Sequence, residues 1–152
     1  MPNLIQKPTN TICRLSRTET PTIYSINGKQ LKICIENTGK SLIYIWRPKC
    51  SSSICISPNA IQGFCNENKI ELYVVAEYYD YLTMSINYST NKPIFGIDCE
   101  YYNTDLTKKY ISLFLKDLAP QSGKLIDNFY FLFQDGCLVS YSDKLENIKF
   151  RE

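Results

Sequence analysis

Two apolar runs, at residues 41–46 and 69–76, constrain the fold more than any other feature of the chain. They read SLIYIW and KIELYVVA, and both are too apolar for a strand that exposes one face to water. The connection between them is long enough to contain a helix. Buried strands joined in this way form a parallel βαβ unit, so the sequence predicts an α/β protein in which these two strands are adjacent, parallel and central.

Weaker patterns predict further elements around this unit. Residues 30–36 alternate apolar and polar side chains, which predicts a strand in a hairpin with the first apolar run. A helix is predicted from just after Cys50 to about Asn66, with Pro58 kinking it or starting a second segment. The other predicted elements are a short helix at 80–88, an edge or short strand at 93–97, a helix at 105–118 capped by Thr104 or Asp105, and a hairpin at 129–141 that turns at Gln134-Asp-Gly136.

Composition limits the kinds of partner. A chain of 152 residues with 44% hydrophobic and 21% charged residues is expected to form one globular domain, here residues 27–152 after an N-terminal extension at 1–26. The net charge of +2 comes from scattered lysines and arginines, so no nucleic-acid partner is predicted. No apolar stretch has the length of a membrane span, so none is predicted.

The chain has no histidine, which excludes His-based general acid–base catalysis and His-ligated metals. Thiol and carboxylate chemistry remain. There are seven cysteines, an odd number, without a CxxC or zinc-ribbon spacing, so no metal and no cofactor are predicted. The compartment stays open: periplasm or cell envelope if a signal peptide has been removed, cytoplasm otherwise.

Cys50 is the candidate nucleophile, because it follows a buried strand and precedes the predicted helix. The positive end of a helix dipole favours a thiolate over a thiol. Most of the other cysteines are expected to be small, buried apolar side chains in the core, because free cysteine is among the most buried residue types. This expectation applies to Cys34, Cys65, Cys99 and Cys137.

Four segments resemble the thioredoxin-fold superfamily, in particular its TlpA-like and redoxin-like branch. They are Trp46-RPK-Cys50, Pro58 eight residues after Cys50, the strand at 69–76, and the final hairpin with its Asp-Gly turn. The resemblance implies a three-layer sandwich with a central mixed sheet, and a thiol–disulfide oxidoreductase that acts on protein thiols or disulfides. By the same resemblance Cys50 is the nucleophile, Cys55 the resolving thiol, and Trp46, Pro48 and Asn128 contact the substrate.

The chain departs from that family at three positions. Ser53 occupies the place of the second CxxC cysteine, and Cys55 is rotated about 140° from Cys50 on an ideal helix, so a disulfide between them requires an irregular turn. Asn128 replaces a cis-proline, which predicts a trans bond after Asp127. Tyr44 replaces a buried acid. Two alternatives therefore stay open: a non-catalytic binding or assembly module with a partner protein, and a peroxide reductase in which Cys50 becomes a sulfenic acid.

Overall fold

The structure, a computed structural model, describes residues 5–8, 12–16, 22–50, 55–84 and 89–150. Seven strands and five α-helices lie in these ranges. The strands are β1 (Ile5–Gln6), β2 (Ile23–Ile26), β3 (Lys40–Trp46), β4 (Glu71–Ala76), β5 (Phe95–Ile97), β6 (Tyr130–Gln134) and β7 (Cys137–Ser142). The helices are α1 (Gly28–Glu36), α2 (Pro58–Asn68), α3 (Tyr81–Met84), α4 (Cys99–Tyr102) and α5 (Thr107–Leu118), with 3-10 turns at Ile12–Arg14 and Leu145–Asn147.

The strands form one mixed sheet in the order β1-β2-β5-β4-β3-β6-β7. Strands β3 and β4 are parallel neighbours in the interior of the sheet, with Ser41 opposite Glu71 and Trp46 opposite Ala76. Helix α2 connects them. The prediction of a central parallel βαβ unit is therefore confirmed.

Helices cover both faces of the sheet, because alternate side chains of each strand point to opposite sides. From β3, Ile43 and Ile45 pack in a cluster with helices α1 and α5. Leu42, Tyr44 and Trp46 pack in a second cluster with helix α2. The molecule is thus an α/β protein with a mixed sheet and helices on both faces, which agrees with the predicted α/β class.

The predicted strand at residues 30–36 is wrong, because this segment is helix α1. The side chain of Asn27 accepts a hydrogen bond from the Gln30 amide, and the Gln30 side chain accepts one from the Asn27 amide, each at 2.9 Å. This capping box satisfies two amides that a helix start leaves unpaired. Leu31, Cys34 and Ile35 are fully buried, whereas Ile33 is 54% exposed. The apolar residues therefore follow the helical period as well as the strand period, and packing against α5 selects the helix.

Smaller corrections concern the strands and helix ends. Residues 23–26, within the expected extension, form the interior strand β2. Strand β5 is short as predicted but not an edge, since it lies between β2 and β4. Pro93 precedes this strand, so its missing N–H costs the ladder nothing. Helix α5 begins at Thr107 after Leu106, which makes no side-chain cap, instead of being capped by Thr104 or Asp105.

The predicted hairpin at the end of the chain is confirmed. Strands β6 and β7 pair antiparallel, and Asp135 and Gly136 form the two-residue turn with φ values of 50° and 86°. Positive φ at both positions is the geometry that favours Asp-Gly in tight hairpins. None of the helices in the described part of the chain is both long and apolar enough to cross a bilayer.

Candidate functional site

Cys50 and Cys55 form a disulfide at the carboxyl end of the interior strand β3. Their Cα atoms lie 6.0 Å apart, and both residues are half-buried. Arg47, Pro48 and Lys49 lead from the strand to Cys50, whose amide donates a 3.1 Å hydrogen bond to the Arg47 carbonyl. Residues 51–54 lie outside the described part of the chain. A five-residue separation is therefore compatible with pairing here, because Cys55 is not part of a regular helix.

The predicted helix does not run unbroken from Cys50, and Pro58 starts a helix, as one of the two predicted alternatives has it; residues 51–54 lie outside the described part of the chain. Residues 55–57 are not helical, and α2 begins at Pro58 with Ser57 as its N-cap. The Ser57 hydroxyl accepts a 3.3 Å hydrogen bond from the Ala60 amide. Proline at the first position and serine at the cap are the preferred helix start, so the sequence itself delays the helix beyond both cysteines. Neighbouring charges are a further source of any preference of Cys50 for the thiolate form.

Arg47 places a cation at the cleft that Cys55 lines. Its Nε donates a 3.2 Å hydrogen bond to Oε2 of Glu77, whose side chain is 13% exposed. Its guanidinium carbon lies 4.4 Å from the centre of the Phe129 ring. Arg47, Phe129 and Cys55 line the same small cleft. A fixed guanidinium beside this cleft favours the thiolate form of a cysteine there.

A second ion pair lies on the solvent side of the site. The Lys49 side chain, 70% exposed, has its ammonium 3.7 Å from Oδ1 of Asp80. The Lys49 amide also donates a 3.0 Å hydrogen bond to the Tyr78 hydroxyl. Hydrogen bonds from Thr83, and to a smaller extent the charge of Lys49, lower the pKa of Asp80. These contacts attach the residue before Cys50 to the segment that follows β4.

Two stacked tyrosines lie beneath Cys55 and Ile56. The rings of Tyr44 and Tyr130 are 4.8 Å apart and within 4° of parallel. The Tyr44 hydroxyl donates a 2.7 Å hydrogen bond to the Ile56 carbonyl. Both tyrosines are almost completely buried, and burial raises the pKa of each phenol. The backbone just after Cys55 is thereby attached to the sheet.

The predicted substrate contacts lie in different environments. Trp46 is only 5% exposed and packs in the core beside α2. Pro48 is buried in the turn that leads to Cys50. Asn128 is half-buried, its side-chain amide donates a 3.0 Å hydrogen bond to the Leu125 carbonyl, and its peptide bond with Asp127 is trans as predicted. The next residue, Phe129, is the one whose side chain contacts Arg47 in the cleft.

The roles of Arg47, Phe129 and Tyr44 were not predicted from sequence. Phe129 follows the loop that the sequence did single out, and its carbonyl accepts a 2.8 Å hydrogen bond from the Ile45 amide. Tyr44 carries a signal in the sequence, since it lies on the same face of the buried strand as Leu42 and Trp46. A tyrosine on such a face requires a partner for its hydroxyl.

The expectation for Cys34 was also wrong, because Cys34 is disulfide-bonded to Cys13 in the 3-10 turn Ile12–Arg14. Of the three free thiols, Cys65 is fully buried as predicted, and burial raises the pKa of its thiol to about 12. Cys99 is half-buried, and Cys137 is exposed, contrary to prediction. The exposure of Cys137 follows from its place at the start of the edge strand β7.

An open apolar groove begins beside the disulfide. It has a volume of about 490 Å³ and runs between α2 and the C-terminal segment. Ile56, which follows Cys55, is one of its lining residues, and the rings of Phe64 and Phe150, which also line it, meet edge to face with centres 4.8 Å apart. The other lining residues are Lys144, Leu145, Glu146 and Ile148. The groove has the size and lining of a site for a few apolar side chains.

Comparisons of this chain with protein-family models, with curated proteins and with solved structures gave no match.

Proposed function

We propose that this protein is a thiol–disulfide redox protein with a thioredoxin-like fold, in which Cys50 and Cys55 are the exchanging pair. One observation carries the proposal: the two cysteines are joined at the carboxyl end of an interior parallel strand, half-exposed and beside a cleft. Ligand sites gather at this end of the strands in open α/β sheets. A disulfide between two partly exposed cysteines offers a target for an external thiolate.

The sheet supports the thioredoxin-like part of the proposal. Parallel strands β4 and β3 are followed by the antiparallel hairpin β6–β7, with helices on both faces. A mixed sheet of this kind supports the arrangement that the sequence resemblance implied. The chain differs in placing β5 between β2 and β4, and in its trans bond before Asn128. The fold proposal therefore rests on strand order and direction around β3.

The proposed exchange has two steps. In the reduced protein the Cys50 thiolate attacks one sulfur of a substrate disulfide, which forms a mixed disulfide and releases one substrate thiolate. The Cys55 thiolate then attacks the Cys50 sulfur, which forms the Cys50–Cys55 disulfide and releases the second substrate thiolate. The protons of the two cysteines pass to the substrate thiolates. An external dithiol reduces the protein again and is itself oxidised to a disulfide.

The surroundings of the two cysteines support these roles. Cys50 directly follows Lys49, whose side chain is 70% exposed. Cys55 lines the cleft formed by Tyr44, Ile45, Arg47 and Phe129. An attacking thiol needs access to a protein substrate, whereas a resolving thiol needs only to reach its partner sulfur. We therefore assign attack to Cys50 and resolution to Cys55.

Reduction of insulin disulfides with a dithiol donor tests the proposal. Wild type is expected to accelerate the reduction, Cys50→Ser to abolish the acceleration, and Cys55→Ser to accumulate a mixed disulfide through Cys50, because the attacking thiol remains and the resolving thiol is absent. Cys137→Ser is the matched control, since it removes an exposed thiol outside the site and should react like wild type. The proposal would be rejected if wild-type protein did not accelerate insulin reduction and its Cys50–Cys55 disulfide was not reduced by dithiols.

The apolar groove favours a second candidate, a binding module that takes an apolar segment of a partner polypeptide. In that case Phe150→Ala, which removes one wall of the groove, should weaken capture of the partner at least tenfold, while Cys50→Ser should leave the affinity within about twofold of wild type. Val139→Ala, at a 55% exposed position on β7, is the control. The reverse pattern, with loss only on removal of Cys50, favours the redox protein.

A further inference from the structure

The backbone immediately after Cys55 is held from below by the sheet. The Tyr44 hydroxyl donates a 2.7 Å hydrogen bond to the carbonyl of Ile56, twelve residues further along the chain. Tyr44 belongs to β3 and Tyr130 to β6, and the two residues are directly opposite in the antiparallel pair. Their rings stack in parallel, so the orientation of the Tyr44 hydroxyl is fixed by two strands and not by the loop itself.

This attachment does not depend on pH in the range where thiols exchange. Tyr44 is 2% exposed and Tyr130 fully buried. Burial, and then the neighbouring Tyr130 phenol, raises the pKa of Tyr44, so its hydroxyl keeps its proton and remains a donor. The Tyr44 hydroxyl therefore remains a donor to the Ile56 carbonyl at neutral and mildly alkaline pH.

The contact has a different consequence in the two redox states. In the oxidised protein the disulfide already fixes Cys55 relative to Cys50. Reduction removes that covalent bond, whereas the hydrogen bond from Tyr44 to the Ile56 carbonyl does not depend on the disulfide. Restricting a loop before it closes lowers the entropy lost on closure, so the two thiols act on each other at a higher effective concentration.

We propose that Tyr44 is a positioning residue of the exchange site: its hydroxyl holds the Cys55–Ile56 backbone and thereby keeps Cys55 within reach of Cys50 after reduction. The proposal rests on the proposed function, since it assigns a role within the same cysteine pair. Tyr44 itself takes no part in electron transfer. Tyr44 instead affects how readily Cys50 and Cys55 form their disulfide.

The test is the equilibrium of the purified protein with mixtures of reduced and oxidised glutathione. Acid quenching, alkylation and peptide mass spectrometry give the oxidised fraction of each cysteine pair. Tyr44→Phe, which removes only the hydroxyl, should lower the effective concentration of the Cys50–Cys55 pair about two- to tenfold, the range that corresponds to the loss of one hydrogen bond. The Cys13–Cys34 pair of the same molecules is an internal standard and should not change.

Tyr73→Phe is the matched control variant, because Tyr73 is equally buried in β4 but faces helices α1 and α5. An unchanged Cys50–Cys55 equilibrium in Tyr44→Phe, or an equal fall in Tyr73→Phe, would overturn the positioning role. The insulin assay tests the broader proposal separately. If wild type accelerates insulin reduction but Tyr44→Phe has the same glutathione equilibrium as wild type, the redox function stands and only the role of Tyr44 is rejected.

Discussion

The guanidinium carbon of Arg47 lies 4.4 Å from the centre of the Phe129 ring, so a cation from the end of β3 is stacked on the residue that precedes β6. The same guanidinium donates to Glu77 at the end of β4. Three interior strands thus fix one positive charge at the cleft that contains Cys55. Such an interaction with an aromatic ring contributes about 0.5–1 kcal/mol at an exposed position, and it also limits the rotamers of the arginine.

Arg47→Gln is expected to slow alkylation of the reduced Cys50–Cys55 pair at neutral pH by about three- to tenfold, because the cation that stabilises a thiolate is lost. Glu77→Gln is expected to accelerate it, because the guanidinium is no longer neutralised by its carboxylate. Lys116→Gln, in the last turn of α5, is the control. Stopped-flow measurement of the alkylation rate tests both effects. If the rate rose in both variants, or fell in both, this account would be contradicted.

In the fully reduced protein at neutral pH, we expect Cys50 to be alkylated faster than Cys34, Cys65 and Cys137. Cys137 is the most useful comparison, because it is exposed at the start of the edge strand, outside the site. Peptide mass spectrometry after timed iodoacetamide pulses measures each rate. Labelling of Cys137 at the same rate as Cys50 or faster would remove Cys50 as the nucleophile.

The disulfide between Cys13 and Cys34 is expected to be structural. It joins the 3-10 turn near the N-terminus to helix α1 across 21 residues, and Cys34 is fully buried. Replacing both cysteines by alanine should lower the free energy of unfolding by about 3 kcal/mol, the value for a loop of this length. Urea denaturation measures the change. This variant should reduce insulin at the wild-type rate. A loss of insulin reduction would show that the Cys13–Cys34 disulfide is also needed for activity at the redox site.

Stability should fall at alkaline pH through Cys65. Burial, and then the charge of Glu71, raises the pKa of its thiol from 9.0 in the unfolded chain to about 12 in the fold. The contribution is fully present below pH 9 and is lost as the pH rises towards 12, because only the unfolded chain releases the proton in this interval. Cys65→Ala should therefore reduce the decline of unfolding free energy between about pH 9 and pH 10.5. An identical slope in both proteins would show that Cys65 does not titrate on unfolding.

Local sequence determined the central βαβ unit and the final hairpin. Strands β3 and β4 are apolar on both faces, and only an interior parallel pair connected by a helix buries them completely. Asp135 and Gly136 determine the hairpin because they tolerate the positive φ values that a two-residue turn needs. These features depend on neighbours in sequence, and the pattern of one segment is enough to predict them.

Tertiary packing, added to the local capping box at Asn27 and Gln30, decided helix α1, and tertiary structure alone decided the surroundings of the disulfide. The apolar residues of 28–36 fit both periods, and packing of Leu31 and Ile35 beside α5 makes the helix the form that buries them. The pairing of Cys13 with Cys34, the stacking of Arg47 on Phe129 and the contact from Tyr44 to Ile56 join residues 12 to 82 positions apart. Such contacts depend on the order of the strands in the sheet. Strand order brings together side chains that are distant in sequence, and the residues next to each of them in sequence do not indicate the partner.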